Sequence, residues 1–305
     1  MKFLLYLALS GIHFSALASS AAVTYGLSGG RLGDNLVAYS NALWVAYKRE
    51  IPLVYFPFDN CERFTLSRIH DSYWAAKDKY SKIVKFDKDE KLDMSNLKID
   101  ENTLYSIPFF PAFKREIIES DFFCAFDVDW HDEGFVAALR RGISLVDREP
   151  SLINFPEGRI PIALHIRTGE GFDPVYQLRT AYDQSSPRKF PPNSFFIEQL
   201  KHMSELLEDQ PLYVHIFTDS SRPEYFAELL KKEVNKSNII YGYRNKPGLV
   251  DDFFAMAQFK YFIRGESNFS FMASILAQYK ICIVPAECVW KGRELIVTKS
   301  EVIIR

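Results

Sequence analysis

The chain has 305 residues, of which 48% are hydrophobic and 25% charged, with 14 glycines and 15 prolines. This composition is that of an ordinary folded protein and excludes collagen, coiled coil and wholesale disorder. Thirty-seven basic against 39 acidic residues leave a formal net charge of −2, so the overall charge attracts neither nucleic acid nor an anionic membrane. A negatively charged ligand would need a local site.

The N-terminus has the layout of a secretory signal peptide. Lys2 precedes an apolar run that begins at Phe3 and ends in Ala16-Leu17-Ala18, which predicts residues 1–18 as the signal and cleavage after Ala18. We therefore expect a protein of the secretory pathway or an exported one. An uncleaved membrane anchor is the alternative, but the apolar run is shorter than the roughly 20 residues that span a bilayer.

Strand-like and helix-like patterns alternate in two halves. In the first half, a strand from Ala22 to Leu27, a glycine-rich turn, a helix from Asp34 to Arg49 and a strand from Leu53 to Phe56 begin a βαβ unit. Such a unit requires a parallel sheet. The second half alternates cleanly from a strand at Ile160 to Ile166, through helices such as Pro223 to Val234, to a strand at Ile281 to Val284. This order is typical of a doubly wound sheet. A breaker-rich stretch near residue 150 divides an N-terminal α/β domain (19–150) from a C-terminal one (151–305).

The cysteines give no metal signature. They are Cys61, Cys124, Cys282 and Cys288, with no CxxC pair, and no metal site is predicted. In an exported protein they permit three disulfide pairings, of which one joins Cys282 to Cys288; the other interpretation makes Cys282 a buried thiol. A metal-binding interpretation of Asp127-Val128-Asp129 is rejected because the stretch lacks a regular strand context.

Ligands of open α/β sheets bind beyond the carboxyl ends of the strands. Arg167 closes one apolar strand, and its fork of donors matches a phosphate. Two further strand ends, Thr218-Asp219-Ser220 and Ser267-Asn268-Phe269-Ser270, have small polar residues that open a helix. Such turns bind anions through backbone N–H groups and the helix dipole, although each is also an ordinary helix cap.

These segments resemble, in order, the motifs of α-1,2-fucosyltransferases and protein O-fucosyltransferases. Gly29 to Asn35 is similar to their Gly-Gly-x-Gly-Asn-Gln opening, and His165 to Glu170 to their His-x-Arg-Arg-Gly-Asp signature. Ile216 to Asp219 resembles their Phe-Ser/Thr-Asp strand end. Asp251 to Lys260, followed by Ser267 to Phe271, resembles their helix and Ser-x-Phe-Ser turn.

The resemblance implies an α/β, GT-B-like fold with two Rossmann-type doubly wound domains facing a cleft. It also implies an inverting, metal-independent glycosyltransferase that moves fucose from GDP-fucose to a hydroxyl of a glycan or protein. GDP-fucose would be a donor substrate and no cofactor is implied; the other partner would be a glycan or glycoprotein acceptor, and no nucleic acid. A membrane would be a partner only if the N-terminal segment stays as an anchor.

Carried over by position, the resemblance also implies the site. The implied donor-binding residues are Gly30, Gly33, Asn35, His165, Arg167, Thr218, Asp219, Ser267, Asn268, Phe269 and Ser270. Arg167 would hold the β-phosphate, Ser267 and Ser270 the pyrophosphate, and Asp219 would line the nucleotide pocket. His165 would orient guanine or the strand end, and a packed core histidine accounts for it equally well.

The implied catalytic residues are Arg167, Glu170 and Asp34. Negative charge grows on the leaving diphosphate, so a fixed arginine and helix N-termini stabilise the transition state more than the ground state. The acceptor hydroxyl needs a base, and Glu170 and Asp34 rank ahead of Asp173 for this role.

The sequence also departs from the family pattern. Thr168 replaces the second arginine of the signature, Glu170 replaces its aspartate, and Asp34 stands where asparagine is usual. Losing one guanidinium removes a phosphate contact worth about 1.5–3 kcal/mol. Two alternatives therefore stay open: a nucleotide- or carbohydrate-binding protein without catalysis, and a related transferase that uses another nucleotide sugar.

Overall fold

The computed structural model describes residues 21–86, 98–109, 128–146, 152–169, 187–245, 248–292 and 294–305. Several predictions from the sequence lie outside these ranges: the signal peptide, the domain boundary near residue 150, Cys124, Asp127, Glu170 and Asp173. No helix in the described ranges is long and apolar enough to cross a membrane.

The described residues form eight α-helices and eleven β-strands. The helices are α1 (Leu32–Arg49), α2 (Leu66–Ile69), α3 (Tyr73–Ala76), α4 (Glu133–Gly142), α5 (Asn193–Leu206), α6 (Pro223–Val234), α7 (Leu249–Met256) and α8 (Asn268–Ala277). The strands are β1 (Ala22–Tyr25), β2 (Val54–Tyr55), β3 (Asp71–Ser72), β4 (Lys82–Lys85), β5 (Thr103–Ile107), β6 (Ile160–Ile166), β7 (Leu212–Thr218), β8 (Ile239–Tyr243), β9 (Tyr261–Arg264), β10 (Ile281–Lys291) and β11 (Glu294–Ile304).

The N-terminal half contains a three-stranded parallel sheet in the order β1-β5-β4 and a parallel pair, β2 and β3. Helix α1 packs on β1 and on α8. It carries Asp34 in its first turn and Lys48 and Arg49 in its last, which complements the helix dipole at both ends. Most of α1 is buried, so this helix lies between the two halves of the chain.

The C-terminal half is built on a six-stranded sheet in the order β11-β10-β9-β6-β7-β8. Strands β6 to β10 run parallel. From β6 the chain builds outwards through β7 and β8, and then returns to add β9 and β10 on the other side of β6. The topological switch point of the sheet therefore lies between β6 and β9, where a ligand crevice is expected.

Apolar residues cover both faces of this sheet. One face packs against α5 and α6 around Leu164, Val214 and Ile263. The other face packs against α7 and α8, and the same cluster continues through α1 into the N-terminal sheet. One hydrophobic core therefore connects the two halves beneath the switch point.

The antiparallel edge of this sheet was not expected from the sequence. The predicted strand from Ile281 to Val284 extends to Lys291 as β10, and β11 pairs with it antiparallel, with a register shift around Glu287. Cys61, Cys282 and Cys288 are free thiols, so the possible Cys282–Cys288 disulfide is not formed and Cys282 is a buried thiol.

Candidate functional site

The switch point brings an arginine to the end of each strand that flanks it. Arg167 directly follows β6, and Arg264 is the last residue of β9. In the parallel register His165 is the partner of Arg264, so these two side chains lie on the same face of the sheet. This face also carries α8, which begins at Asn268.

The Arg167 guanidinium packs on an aromatic ring, and the turn that follows Arg167 is fixed by hydrogen bonds. Its guanidinium carbon lies 5.6 Å from the centre of the Phe190 ring, a cation–π distance. The turn that follows is tied down by Asp219, whose carboxylate accepts hydrogen bonds from the Thr168 N–H at 2.6 Å, the Thr168 hydroxyl at 2.9 Å and the Gly169 N–H at 3.0 Å. Asp219 therefore positions the turn beside Arg167.

The helix N-terminus of α8 retains unused donors. Ser267, a residue only 2% exposed, is the N-cap residue. Its buried hydroxyl caps nothing and has no hydrogen-bond partner among the described residues. The first backbone N–H groups of a helix have no intrahelical acceptor, and together with the helix dipole they favour an anion. Ser270 differs, because its buried hydroxyl donates to the Ser267 carbonyl at 3.3 Å.

His165 is a neutral histidine among positive charges. Its pKa is lowered to about 3, mainly by burial, with the charges of Arg167, Arg264 and Arg31 acting in the same direction and that of Asp219 opposing them. Its ring lies 6.0 Å from the ring of Phe269. Nδ1 is buried with no hydrogen-bond partner in the described part of the chain, so an uncharged imidazole presents one ring nitrogen to this region.

The first turn of α1, at the end of the glycine-rich segment, meets the N-terminus of α8. A Cβ on Gly33 would lie 2.4 Å from the Phe269 backbone nitrogen, and a Cβ on Gly30 only 1.9 Å from an Asp34 carboxylate oxygen. Asn268 donates from Nδ2 to Asp34 Oδ1 at 2.5 Å. Both glycines therefore allow a close approach that a larger residue would block.

The end of β7 is an ordinary capped turn. The Thr218 hydroxyl accepts from the Ser220 N–H at 3.2 Å, and the Ser220 hydroxyl accepts from the Arg222 N–H at 3.2 Å. The hydroxyls that made this turn resemble an anion site in the sequence are thus used within the turn. Asp219 reaches from this turn to the one that follows β6.

The structure thus brings Arg167, His165, the α8 N-terminus and the glycine-rich loop together, with Thr218 at the neighbouring strand end. Buried polar atoms without a partner in the described ranges cluster here: His165 Nδ1, Arg264 Nε, Ser267 Oγ, Asn268 Oδ1 and Asn35 Oδ1. Buried polar groups are normally hydrogen-bonded, so a polar ligand or ordered water at the switch point would satisfy these atoms.

Two further arginines were missed as site residues. Arg264 ends an apolar strand before a glycine, which is the signal that singled out Arg167. Arg31 lies in the glycine-rich loop, and its charge reaches His165 from the other half of the chain. No group of three or more His, Cys, Asp or Glu side chains in the described ranges could hold a metal ion. Asp129 accepts a hydrogen bond from the His131 N–H within its own turn.

No protein-family model and no curated protein sequence matches the chain. Among solved structures, the chain is similar to an arginine-to-lysine mutant of Arabidopsis thaliana FUT1 in complex with GDP. The identity is 10%, the match covers 91% of this chain and 73% of that one, and the TM-score is 0.51.

Two other solved structures align with lower scores. The apo form of POFUT1 is 9% identical over 87% of this chain and 97% of that chain, with a TM-score of 0.48. The NodZ α-1,6-fucosyltransferase soaked with GDP-fucose, an enzyme from Bradyrhizobium, is 11% identical over 93% and 99%, with a TM-score of 0.46. The mixed α/β fold with parallel sheets expected from the sequence is confirmed, and the chain shares its fold with the Arabidopsis protein.

Proposed function

We propose that this chain is a glycosyltransferase that transfers fucose from GDP-fucose to a hydroxyl of a glycan or protein, with inversion and without a metal ion. The observation that carries the proposal is the switch point, where Arg167 and the unused donors of the α8 N-terminus converge beside a fixed turn. The shared fold with a GDP-bound protein and the ordered sequence motifs support the same conclusion.

The diphosphate of the donor would bind between Arg167 and the N-terminus of α8. A guanidinium offers two parallel donors to a phosphate, and the backbone N–H groups of α8 and the Ser267 hydroxyl add uncharged donors. Because all of these groups are fixed before the donor binds, they stabilise the growing charge without reorganising. The neutral His165 would supply a hydrogen bond and no charge.

The transfer step then breaks the bond between the anomeric carbon and the β-phosphate oxygen. The acceptor oxygen forms a new bond to the opposite face of the same carbon, and its proton passes to a carboxylate. GDP departs with the electron pair. We propose Asp34 or Glu170 as the base; one Asp34 oxygen accepts from Asn268, and we assign the hydroxyl proton to the other.

One observation favours a second candidate, a GDP-binding protein without catalysis. Thr168, which stands in place of the second arginine of the family signature, donates hydrogen bonds from both its N–H and its hydroxyl to Asp219. A site without the second arginine of the signature would hold the nucleotide and stabilise the leaving group less. Binding of GDP without release of GDP from GDP-fucose, across a panel of acceptors, would favour this candidate.

A thermal-shift panel of nucleotide sugars tests the proposal. GDP-fucose should raise the melting temperature, since a ligand at 100 times its Kd stabilises the folded state by about 2.7 kcal/mol. GDP-mannose is the control for the sugar, and UDP- and ADP-sugars are the controls for the base. GDP-fucose should then release GDP in the presence of EDTA and an acceptor. Equal shifts with all three bases, or none, would overturn the donor assignment.

A further inference from the structure

Arg264 is a buried arginine without a carboxylate partner in the described ranges. Its residue exposure is 5%. Its contacts are the Gly265 carbonyl, which accepts from Nη1 at 3.2 Å, the face of the Phe271 ring at 5.5 Å, and the Cys282 thiol. The nearest acid in sequence, Glu266, is paired with Arg188 at 3.0 Å, and Arg264 Nε is buried without an acceptor.

A charge in this position needs an anion. Arginine stays protonated at every relevant pH, and a buried charge that lacks a partner destabilises the folded state strongly. A carbonyl, a ring and a thiol do not neutralise it. Without a ligand, the buried charge of Arg264 therefore lowers the stability of the folded protein.

The position of Arg264 in the sheet indicates which anion would neutralise its charge. It ends β9 at the switch point, beside His165 on the same face of the sheet. It is also three residues before the Ser267 cap of α8. In this crevice a ligand would contact both flanking strands at once.

We propose that Arg264 binds the diphosphate of the donor together with Arg167, and supplies the second guanidinium that Thr168 does not. This inference rests on the proposed function. One arginine, Arg167, then comes from the end of β6, and the other, Arg264, comes from the end of the neighbouring strand β9. The substitution of arginine by Thr168 is then compatible with tight donor binding.

Titration calorimetry of GDP and GMP against Arg264→Met tests this role. Methionine fills a similar volume without a charge, so the GDP affinity should fall at least about tenfold, and the preference for GDP over GMP should shrink. The melting temperature of the ligand-free variant should stay level or rise. Arg159→Met is the matched control, because Arg159 donates to the Leu212 and Asn238 carbonyls at the amino end of the sheet; its GDP affinity should not change.

The outcomes separate this inference from the proposed function. A wild type that binds GDP with an Arg264→Met variant of equal affinity would overturn the role of Arg264 alone. An equal loss of GDP and GMP binding together with a lower melting temperature would make Arg264 structural. If methionine prevents folding, Arg264→Lys keeps the charge and should lose part of the preference for GDP over GMP. No binding of any nucleoside diphosphate by the wild type would overturn both proposals.

Discussion

At the scale of single residues, Asp34 connects the two halves of the chain. Its carboxylate accepts a hydrogen bond from Asn268 and faces the backbone of Gly30. It can therefore link α1 to α8, serve as the base, or do both. The two roles predict different kinetics.

We expect Asp34→Asn to lower kcat by about 10²–10⁴-fold if Asp34 is the base. The amide keeps the size of the side chain and cannot take the acceptor proton, so the affinity for GDP should change little. Steady-state kinetics with calorimetry of the same variant measures both quantities. Glu170→Gln is the matched variant: a normal kcat for Asp34→Asn and a low one for Glu170→Gln would assign the base to Glu170.

The sequence allows the location of these residues to be predicted better than their contacts. Arg167, His165 and Ser267 were identified because strand ends and helix starts can be recognised from local pattern. Asp219 was expected to line the nucleotide pocket, and its observed bonds to Thr168 and Gly169 depend on the pairing of β6 with β7. Ser270 has the right residue type, but its hydroxyl is used within α8.

At the scale of elements, the contact between α1 and α8 sets the position of the proposed site. A Cβ at Gly33 would meet the backbone of Asn268 and Phe269 at less than 3 Å, so the start of one helix is placed by the start of the other. A side chain at Gly33 must therefore move the α8 N-terminus.

Gly33→Ala should destabilise the fold by about 1–3 kcal/mol, as overpacking does. This penalty has to exceed the gain of up to about 1 kcal/mol that alanine brings inside a helix. Urea unfolding measures the difference. Gly26→Ala is the control, since its added Cβ would meet only the Ile107 carbonyl oxygen at 3.9 Å. A Gly33→Ala protein as stable as the wild type would contradict the tight contact.

Helices and central strands could be predicted from the sequence, and the edge of the sheet could not. The helix α6 and the strand β6 begin and end where the pattern predicts, because each has a clear apolar period and a polar or proline boundary. The strand β11 is partly exposed along its length and is interrupted by Lys299 and Glu301. Such an edge strand lacks the apolar run that identifies a buried one.

At the scale of the whole molecule, four groups that are buried or half-buried make stability depend on pH. Burial lowers the pKa of His70 and of His215 to about 4 and that of His165 to about 3, against about 6.5 in the unfolded chain. Burial raises the pKa of Asp252 to about 7. The histidines stabilise the folded state above pH 6.5 and lose this contribution as the pH falls. Asp252 has the opposite effect: its contribution to the stability of the folded state decreases as the pH rises from about 4 to about 7.

Between pH 6 and 5 the unfolded chain thus binds three more protons at the histidines and one fewer at Asp252. The net two protons predict that the free energy of unfolding falls by about 2.7 kcal/mol per pH unit on acidification. Urea unfolding at pH 7, 6 and 5 measures this slope. In Asp252→Asn the slope should steepen to about 4 kcal/mol per pH unit. A stability that is flat or rises over this range would contradict the assigned protonation states.

The location of the chain stays a prediction based on its first 18 residues. A secretory compartment that holds nucleotide sugars would suit both the predicted signal and the proposed donor. Expression of the full chain, followed by N-terminal sequencing of the product, would show whether it begins at Ser19.

The proposed site depends on Arg167 and the α8 N-terminus meeting around one diphosphate. Titration calorimetry with GDP in EDTA, on the wild type and on Arg167→Ala, tests this most directly. We expect one GDP bound per wild-type chain, and at least about tenfold weaker binding by the variant with an unchanged melting temperature and no fucosyl transfer. Equal GDP affinity of the two proteins, or full transfer by Arg167→Ala, would contradict the account.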